Sequence, residues 1–372
     1  MSVPLFSTAE TAAAARFEAQ RIAFAPVVFQ VVQVLRREGL LRALVEARDW
    51  VEQGKLRGSS GLSLYAKTVL LETACAAGIV EREEPSAPNP STVRWRATMV
   101  GRVIERDPMV RVNMDFVGDV CYRGLSHLGE ALRSGTPSGL AELGPWKTFY
   151  EGMAQMPEPA RTSWFNFDHY YSDSAFPDAL DALGSCGVTH IADVGANTGR
   201  FAVAVLRRFP ASRITLCDLP QQLVLAKTTL EDSELLDRAA FHPCDLLDDG
   251  AALPSGPAAP DAFWMSQFLC CFSESQVVNI LALAAKAVGP RGSIFVLDTF
   301  WDAQRHDLAA YCLINTSPYF CSVANGNSRM YRLDVLTSLA AEAGLEPRQT
   351  WHHLGQCHTL VQFQRQRADG RP

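Results

Sequence analysis

Residues 191–199, reading I-A-D-V-G-A-N-T-G, constrain the fold of this chain more than any other stretch. An apolar run ends in an acidic residue, two glycines flank a short polar turn, and a helical pattern begins at Arg200. Such a strand–turn–helix unit gathers backbone N–H groups and the positive end of a helix at one point. A ligand of nucleotide type can approach the turn closely.

The sequence around it repeats the theme. Apolar, β-rich runs occupy 190–194, 212–217, 239–241, 262–266, 293–297 and 358–363, and helical patterns at 201–209, 223–230, 275–288 and 333–343 fall between most of them. Strands separated by helices predict a parallel, doubly wound α/β sheet covered on both faces. The runs 348–351 and 358–363 are joined by only a short connection, so the sheet should end in an antiparallel hairpin. The first half has a different texture. Helical spacing marks 16–41 and 63–80, with Gly78 as a C-terminal cap, and two short strands at 79–81 and 93–96 surround a Pro-rich loop at 84–92. Helices followed by a small hairpin predict a winged-helix module. The expected division is a helical domain over 1–158 and an α/β domain over 159–372, with a Gly/Pro/Ala loop at 250–260 and a solvated tail at 365–372.

Composition narrows the partners. A chain of 372 residues, 48% hydrophobic and 20% charged, has room for two well-cored domains. Its net charge of −6 argues against a nucleic-acid or anionic-membrane partner, either of which needs a basic face. Without a Lys/Arg-rich recognition helix, the wing reads as a dimer or substrate wall rather than a DNA reader. Ten cysteines with no C-x-x-C pattern point to a reducing, cytoplasmic setting. The first residues do not read as a leader, and the longest apolar stretch, 22–34, is interrupted by Pro26, Gln30 and Gln33 and is too short to span a bilayer.

Polar positions recur at the strand ends, where open α/β sheets bind ligands. Asp193, Gly195 and Gly199 form the first set. Asp218, in C-D-L-P, follows one βα unit later and suits a ribose diol, accepting from both hydroxyls. Asp245, in H-P-C-D-L-L, can accept from an exocyclic amino group such as that of adenine. The fourth strand end reads M-S-Q-F-L-C-C. A nicotinamide dinucleotide would want G-x-G-x-x-G, but Asn197 holds the second glycine position and Arg200 follows Gly199.

The ordered set D-V-G-A-N-T-G, C-D-L-P, C-D-L-L, F-L-C-C-F-S-E-S-Q-V-V-N-I-L and S-I-F-V-L-D resembles the two-domain class I S-adenosylmethionine-dependent O-methyltransferases of caffeate and hydroxyindole type, with their bacterial natural-product branch. L-L-E-T-A-C-A-A-G-I-V is similar to that family's winged-helix dimerisation module, so the resemblance spans nearly the whole chain. It implies a Rossmann-like seven-stranded sheet, a homodimer, S-adenosyl-L-methionine as cofactor and a small, largely apolar or aromatic acceptor. It also implies that Gly195 borders the methionine part, Asp218 and Leu219 the ribose, and Asp245 and Leu246 the adenine, with Ser266 at a position often lysine in relatives. F-D-H-Y-Y-S-D-S matches the segment that closes over both ligands, which nominates Tyr171 for the cofactor and His169 and Tyr170 for the acceptor. Gln267 and Tyr311 join the acceptor side.

The catalytic half departs from the family. The L-H-D-W motif, whose histidine would take the acceptor proton, is Leu269-Cys270-Cys271-Phe272 here. The supporting acid survives as Asp298, and the second one falls near Ser328 and is lost. Three routes follow: methylation at carbon or nitrogen without a strong base; a substitute base, His306 or else His242; or metal assistance through Cys270, Cys271 and Cys321 as thiolates. No dedicated metal site is assigned. Asn325, Asn327 and Arg329 could orient a polar acceptor group, with Arg329 suited to a carboxylate. A cofactor-binding regulator that has lost catalysis is the rival from another class.

Overall fold

The computed structural model describes residues 11–83, 89–256, 259–289 and 291–366. Parts of three expected segments, the loops 84–92 and 250–260 and the tail 365–372, therefore lie outside the described residues. The chain forms two compact units, Met1–Gly118 and Asp119–Pro372.

In the first unit a helix over Ala12–Arg37 begins at Thr11, whose hydroxyl accepts from Ala14 N. Two more helices follow, Leu40–Ala47 and Leu64–Ala76. The second of these ends as the sequence predicts. Gly78 takes a φ of +74°, its N–H reaches Cys75 O at 2.9 Å, and Ile79 N reaches Ala74 O at 2.8 Å, which caps the last carbonyls. Strands β1 (Val51–Glu52), β2 (Val80–Glu83) and β3 (Arg94–Ala97) make an antiparallel sheet in the order β1-β3-β2. Leu35, Leu41, Leu44, Leu71 and Trp95 pack beneath it, and the Trp95 indole donates to Gln53 Oε1 at 2.8 Å. The expected helices and small hairpin are present.

In the second unit seven strands form one sheet: β4 (His190–Val194), β5 (Arg213–Asp218), β6 (Ala239–Pro243), β7 (Ala262–Ser266), β8 (Ser293–Asp298), β9 (Leu345–Leu354) and β10 (His358–Arg365). The order is β6-β5-β4-β7-β8-β10-β9, with β4 to β8 mutually parallel and β10 antiparallel to both neighbours. Alternate strand residues feed two cores, as the period of two requires. Phe263, Met265, Ile294 and Val296 face the helices Glu274–Ala287 and Leu333–Glu342. Trp264, Phe295 and Leu297 face the helices Ala160–Ser185 and Arg200–Arg208. The strand order reverses between β4 and β7, which opens a crevice at their C-terminal ends.

The unit boundary differs from the expected 158. Residues 119–158 are helical in texture yet pack with the second unit: Ser163 Oγ donates to Asp119 at 2.6 Å, and Phe149 sits 5.5 Å from Trp164 and 5.9 Å from Tyr319, ring to ring. Contacts made at such separation in the chain leave no local periodicity.

Candidate active site

A cavity of about 260 Å³ lies at the crevice, walled by the ends of β4, β5 and β7, the helix Ala160–Ser185 and the segments around Tyr150 and Asn325. One wall is the turn after β4. Gly195 has a φ of +78°, and a Cβ there would meet the Phe268 ring at 2.3 Å. Gly199 also has a φ of +78° and precedes the helix Arg200–Arg208, and a Cβ there would stand 3.2 Å from Ala226, a tight contact. Both positions thus need glycine, for backbone and for space. Asn197 is held at a φ of +49°, and its N–H donates to Asp218 Oδ2 at 2.8 Å while Leu219 N donates to Oδ1 at 2.7 Å. The Asp218 carboxylate is thereby fixed at the lip of β5 with lone pairs left for a ligand. Burial pushes its pKa up to about 6. Asp193, 3% exposed, is pushed up to about 8 by burial and by Asp218.

Several buried polar atoms on this wall have no partner among the described residues: Asp193 Oδ2, Asn197 Oδ1, Ser266 Oγ and both ends of the Gln222 amide. Buried polar groups are rarely left so. A wall offering acceptors and donors at four residues, with Asp218 and the exposed Asp245 at successive strand ends, fits a ligand with a diol, an amino group and a heterocycle.

The other half of the cavity is aromatic. Tyr150, Trp164, Phe268 and Phe272 line it, with Thr148, Met153, Cys271, Asn325 and Asn327. Asp168 and His169 reach in from the covering helix. His169 stacks on Phe165, its Nε2 lies 3.4 Å from Thr198 Oγ1, and burial, then Arg200, depresses its pKa to about 4. Asp168 accepts from Gln267 Nε2 at 3.0 Å and Asn197 Nδ2 at 3.2 Å, and burial, then Asp173, raises it to about 7.

Of the residues expected from sequence, Asp193, Gly195, Asp218, Leu219, Asp245, Leu246, Ser266, His169, Gln267, Asn325 and Asn327 line this cavity. Gly199 supports it from behind. Others lie elsewhere. His306 is exposed at the start of the helix Asp307–Tyr319, outside the cavity lining, because it caps that helix rather than facing inward. His242 Nε2 is engaged by Ala252 O at 2.8 Å, also off the cavity. Tyr311 is 41% exposed, and Tyr170 and Tyr171 pack edge to face at 5.2 Å outside the lining. Arg329 is turned to the surface, paired with Glu274 at 2.7 Å and laid over the Tyr331 ring. Cys270 and Asp298 are buried behind the cavity lining, 6% and 4% exposed. A hydrogen bond to Cys271, burial and Asp298 all push the Cys270 thiol well above the usual range. Burial raises Asp298 to about 6. Neither the Cys270 thiol nor the Asp298 carboxylate is part of the cavity lining. Cys321 engages Ser328 O at 3.6 Å, and among the described residues no three His, Cys, Asp or Glu gather as metal ligands. Asp168 sits inside the F-D-H-Y-Y-S-D-S stretch and could have been chosen there by its charge. Gln222, Tyr150 and Trp164 carry no sequence signal.

Fold and cavity together define a nucleoside-binding, doubly wound α/β unit preceded by a winged-helix unit. Residues 171–346 match the O-methyltransferase domain family and residues 16–85 the Dimerisation2-like domain family, so the chain carries a segment of each kind. Aclacinomycin 10-hydroxylase RdmB of Streptomyces purpurascens is 27% identical over 193 residues, 50% of this chain and 48% of that protein. O-methyltransferase lcsG of Purpureocillium lilacinum is 24% identical over 281 residues, 66% of this chain and 58% of that one. The chain thus spans about half the length of these curated relatives, at 48% and 58%. Among solved structures, the O-methyltransferase NcsB1 from neocarzinostatin biosynthesis, in complex with S-adenosylmethionine and 2-hydroxy-5-methyl naphthoic acid, is 20% identical. It covers 92% of this chain and 96% of its own, with a TM-score of 0.68, a likeness of fold. The unpartnered atoms around Asp193, Asn197, Gln222 and Ser266 fit S-adenosylmethionine. No helix of the described residues is long and apolar enough to cross a membrane.

Proposed function

We propose that this protein is an S-adenosylmethionine-dependent methyltransferase that methylates a hydroxyl of a small, largely apolar or aromatic acceptor. The observation that carries this reading is the row of buried, unpartnered polar atoms on the wall between the glycine turn and Asp218. Asp218 accepts from the ribose diol, Asp245 and Leu246 border the adenine, and Gly195 and Asn197 border the methionine part. Asp168, a cavity carboxylate held by two neutral amides, receives the cationic amino group there. When bound, the cofactor supplies an electrophilic methyl group on a sulfonium.

The chain's own contribution is position and exclusion of water. Tyr150, Trp164 and Phe272 give the acceptor an apolar, aromatic slot. Orientation of two reactants can supply several kcal/mol of the barrier, on the order of 7–11, which suits a site whose family base is replaced by buried Cys270. Residues 16–85 carry the homodimer interface, and the enzyme works in the cytoplasm. The relative named a hydroxylase makes the assay specific. Incubation with methyl-labelled cofactor and a panel of phenols and naphthols, read by mass spectrometry, should give label in the product at one oxygen. A product that gains oxygen without label, or no product across the panel despite cofactor binding, overturns the reading.

A further inference from the structure

The two amides that hold Asp168 belong to a longer hydrogen-bonded row, whose buried end the reading above does not use. His358, on β10 and fully buried, meets Gln267 Oε1 through Nε2 at 2.7 Å. The other end of that amide donates to Asp168 Oδ1 at 3.0 Å, and Asn197 Nδ2 donates to Asp168 Oδ2 at 3.2 Å. Gln267 itself is bent. Its φ is +48°, a left-handed conformation costly for a side chain with a Cβ, and its N–H is tied to Leu297 O at 2.8 Å. A residue held this way just beyond β7 needs a reason.

The chemistry of the row supplies one. Burial depresses His358 to about 3, so the ring is neutral and carries one N–H. Gln267 Oε1 can only accept, so that N–H is on Nε2, and Nδ1, without a partner among the described residues, is a bare acceptor. The amide of Gln267 is thereby oriented. Its oxygen answers the histidine and its NH2 group faces Asp168; the opposite orientation would set a carbonyl oxygen against a carboxylate. With Asn197 on the second oxygen, the carboxylate keeps one direction, into the cavity beside the glycine turn.

We infer that Gln267, oriented by His358, is a positioning residue that aims the Asp168 carboxylate at the amino-acid end of the bound cofactor. The inference rests on the S-adenosyl reading of the cavity. It makes Gln267 a determinant of which S-adenosyl compounds bind, because a ligand without an amino-acid end has nothing for Asp168 to hold.

Calorimetric titration of the full-length protein with S-adenosylmethionine and with 5′-methylthioadenosine, which lacks the amino-acid end, tests this. Gln267→Leu and Asp168→Asn should each weaken S-adenosylmethionine about tenfold or more, the scale of a hydrogen bond to a charged group, and leave 5′-methylthioadenosine within about twofold. His358→Leu leaves the cavity wall in place and should give a smaller, selective loss of about threefold. The double variant Gln267→Leu/Asp168→Asn should lose little more than Asp168→Asn alone, because the glutamine acts through the carboxylate. Equal loss of both ligands in the Gln267 and His358 variants would mean support of the fold only and would overturn the inference. So would unchanged binding, or losses that simply multiply in the double variant. Wild-type protein that binds neither ligand would sink the S-adenosyl reading instead.

Discussion

Gly195→Ala is the substitution whose cost the structure sets out most fully. The new Cβ would stand 2.3, 2.7 and 2.8 Å from three atoms of the Phe268 ring. Carbon atoms in contact want roughly 3.5–4.0 Å, so the ring must retreat by more than about 1 Å. It cannot swing freely, because its far side packs edge to face on Phe272 at 4.8 Å. Overpacking of that kind costs about 1–3 kcal/mol. To it is added about 1–2 kcal/mol for an L-residue in the left-handed region, which a φ of +78° imposes. The sum is about 2–5 kcal/mol, or a melting point lower by roughly 5–15 °C for a unit of this size. Gly187→Ala isolates the backbone part, since Gly187 has a φ of +65° and nothing within 4 Å of its would-be Cβ; it should cost only that part, about 1–2 kcal/mol. Thermal melts of both variants, followed by circular dichroism, make the comparison. Because the ring also borders the cavity, Gly195→Ala should bind S-adenosylmethionine at least about tenfold more weakly, and Gly187→Ala should not. Equal melting points for the two variants would refute the steric part of the reasoning.

Three further outcomes are expected. Asp193 and Asp168 are raised to about 8 and about 7 from 3.8, so between about pH 6.5 and about pH 8.5 the ligand-free folded chain holds protons that the unfolded chain has released, and stability must fall as pH rises. The depressed histidines His169 and His358 act only below their ordinary 6.5, so a urea midpoint that rises across that window would contradict the assignment. His306→Ala, Arg329→Ala and Cys270→Ala should each keep kcat/KM within about threefold, since none reaches the cavity; a loss approaching a hundredfold, the scale of a lost general base, would restore that residue to the chemistry. On the helix Ala12–Arg37, Phe17, Ile22 and Phe24 are 63%, 75% and 59% exposed, an unusual density of bare apolar side chains. Replacing all three by glutamate should turn a dimer into a monomer by light scattering, and an unchanged mass would move the dimer contact elsewhere.

Much of this architecture was legible because its signals are local. Strand ends β4, β5 and β7, the turn at Gly195 and Gly199, the cap at Gly78 and the closing hairpin β9–β10 all rest on period, turn chemistry or connection length. Asp218 and Asp245 followed from those ends, and the cavity includes both. What failed depended on the direction in which a side chain leaves its element. Arg329 and Asn325 are four residues apart, yet one turns outward to Glu274 and the other inward to the Cys271 carbonyl and Ser328. His306, offered by the sequence as a substitute base, precedes a helix at the surface. The boundary at 118 rather than 158, and the slot formed by Tyr150 and Trp164, arise from aromatic packing against Tyr319, to which the Trp164 indole donates at 3.0 Å. Contacts that distant in the chain leave no periodic trace.

The central claim is that the wall between the glycine turn and Asp218 holds the nucleoside of S-adenosylmethionine. Calorimetric titration of wild-type protein and of Asp218→Ala measures it directly. One cofactor should bind per chain, and the variant should bind about 10–100 times more weakly, as expected for losing hydrogen bonds to a charged acceptor, with its circular dichroism unchanged. Equal affinity in the variant, or no binding to the wild-type protein, would contradict the claim.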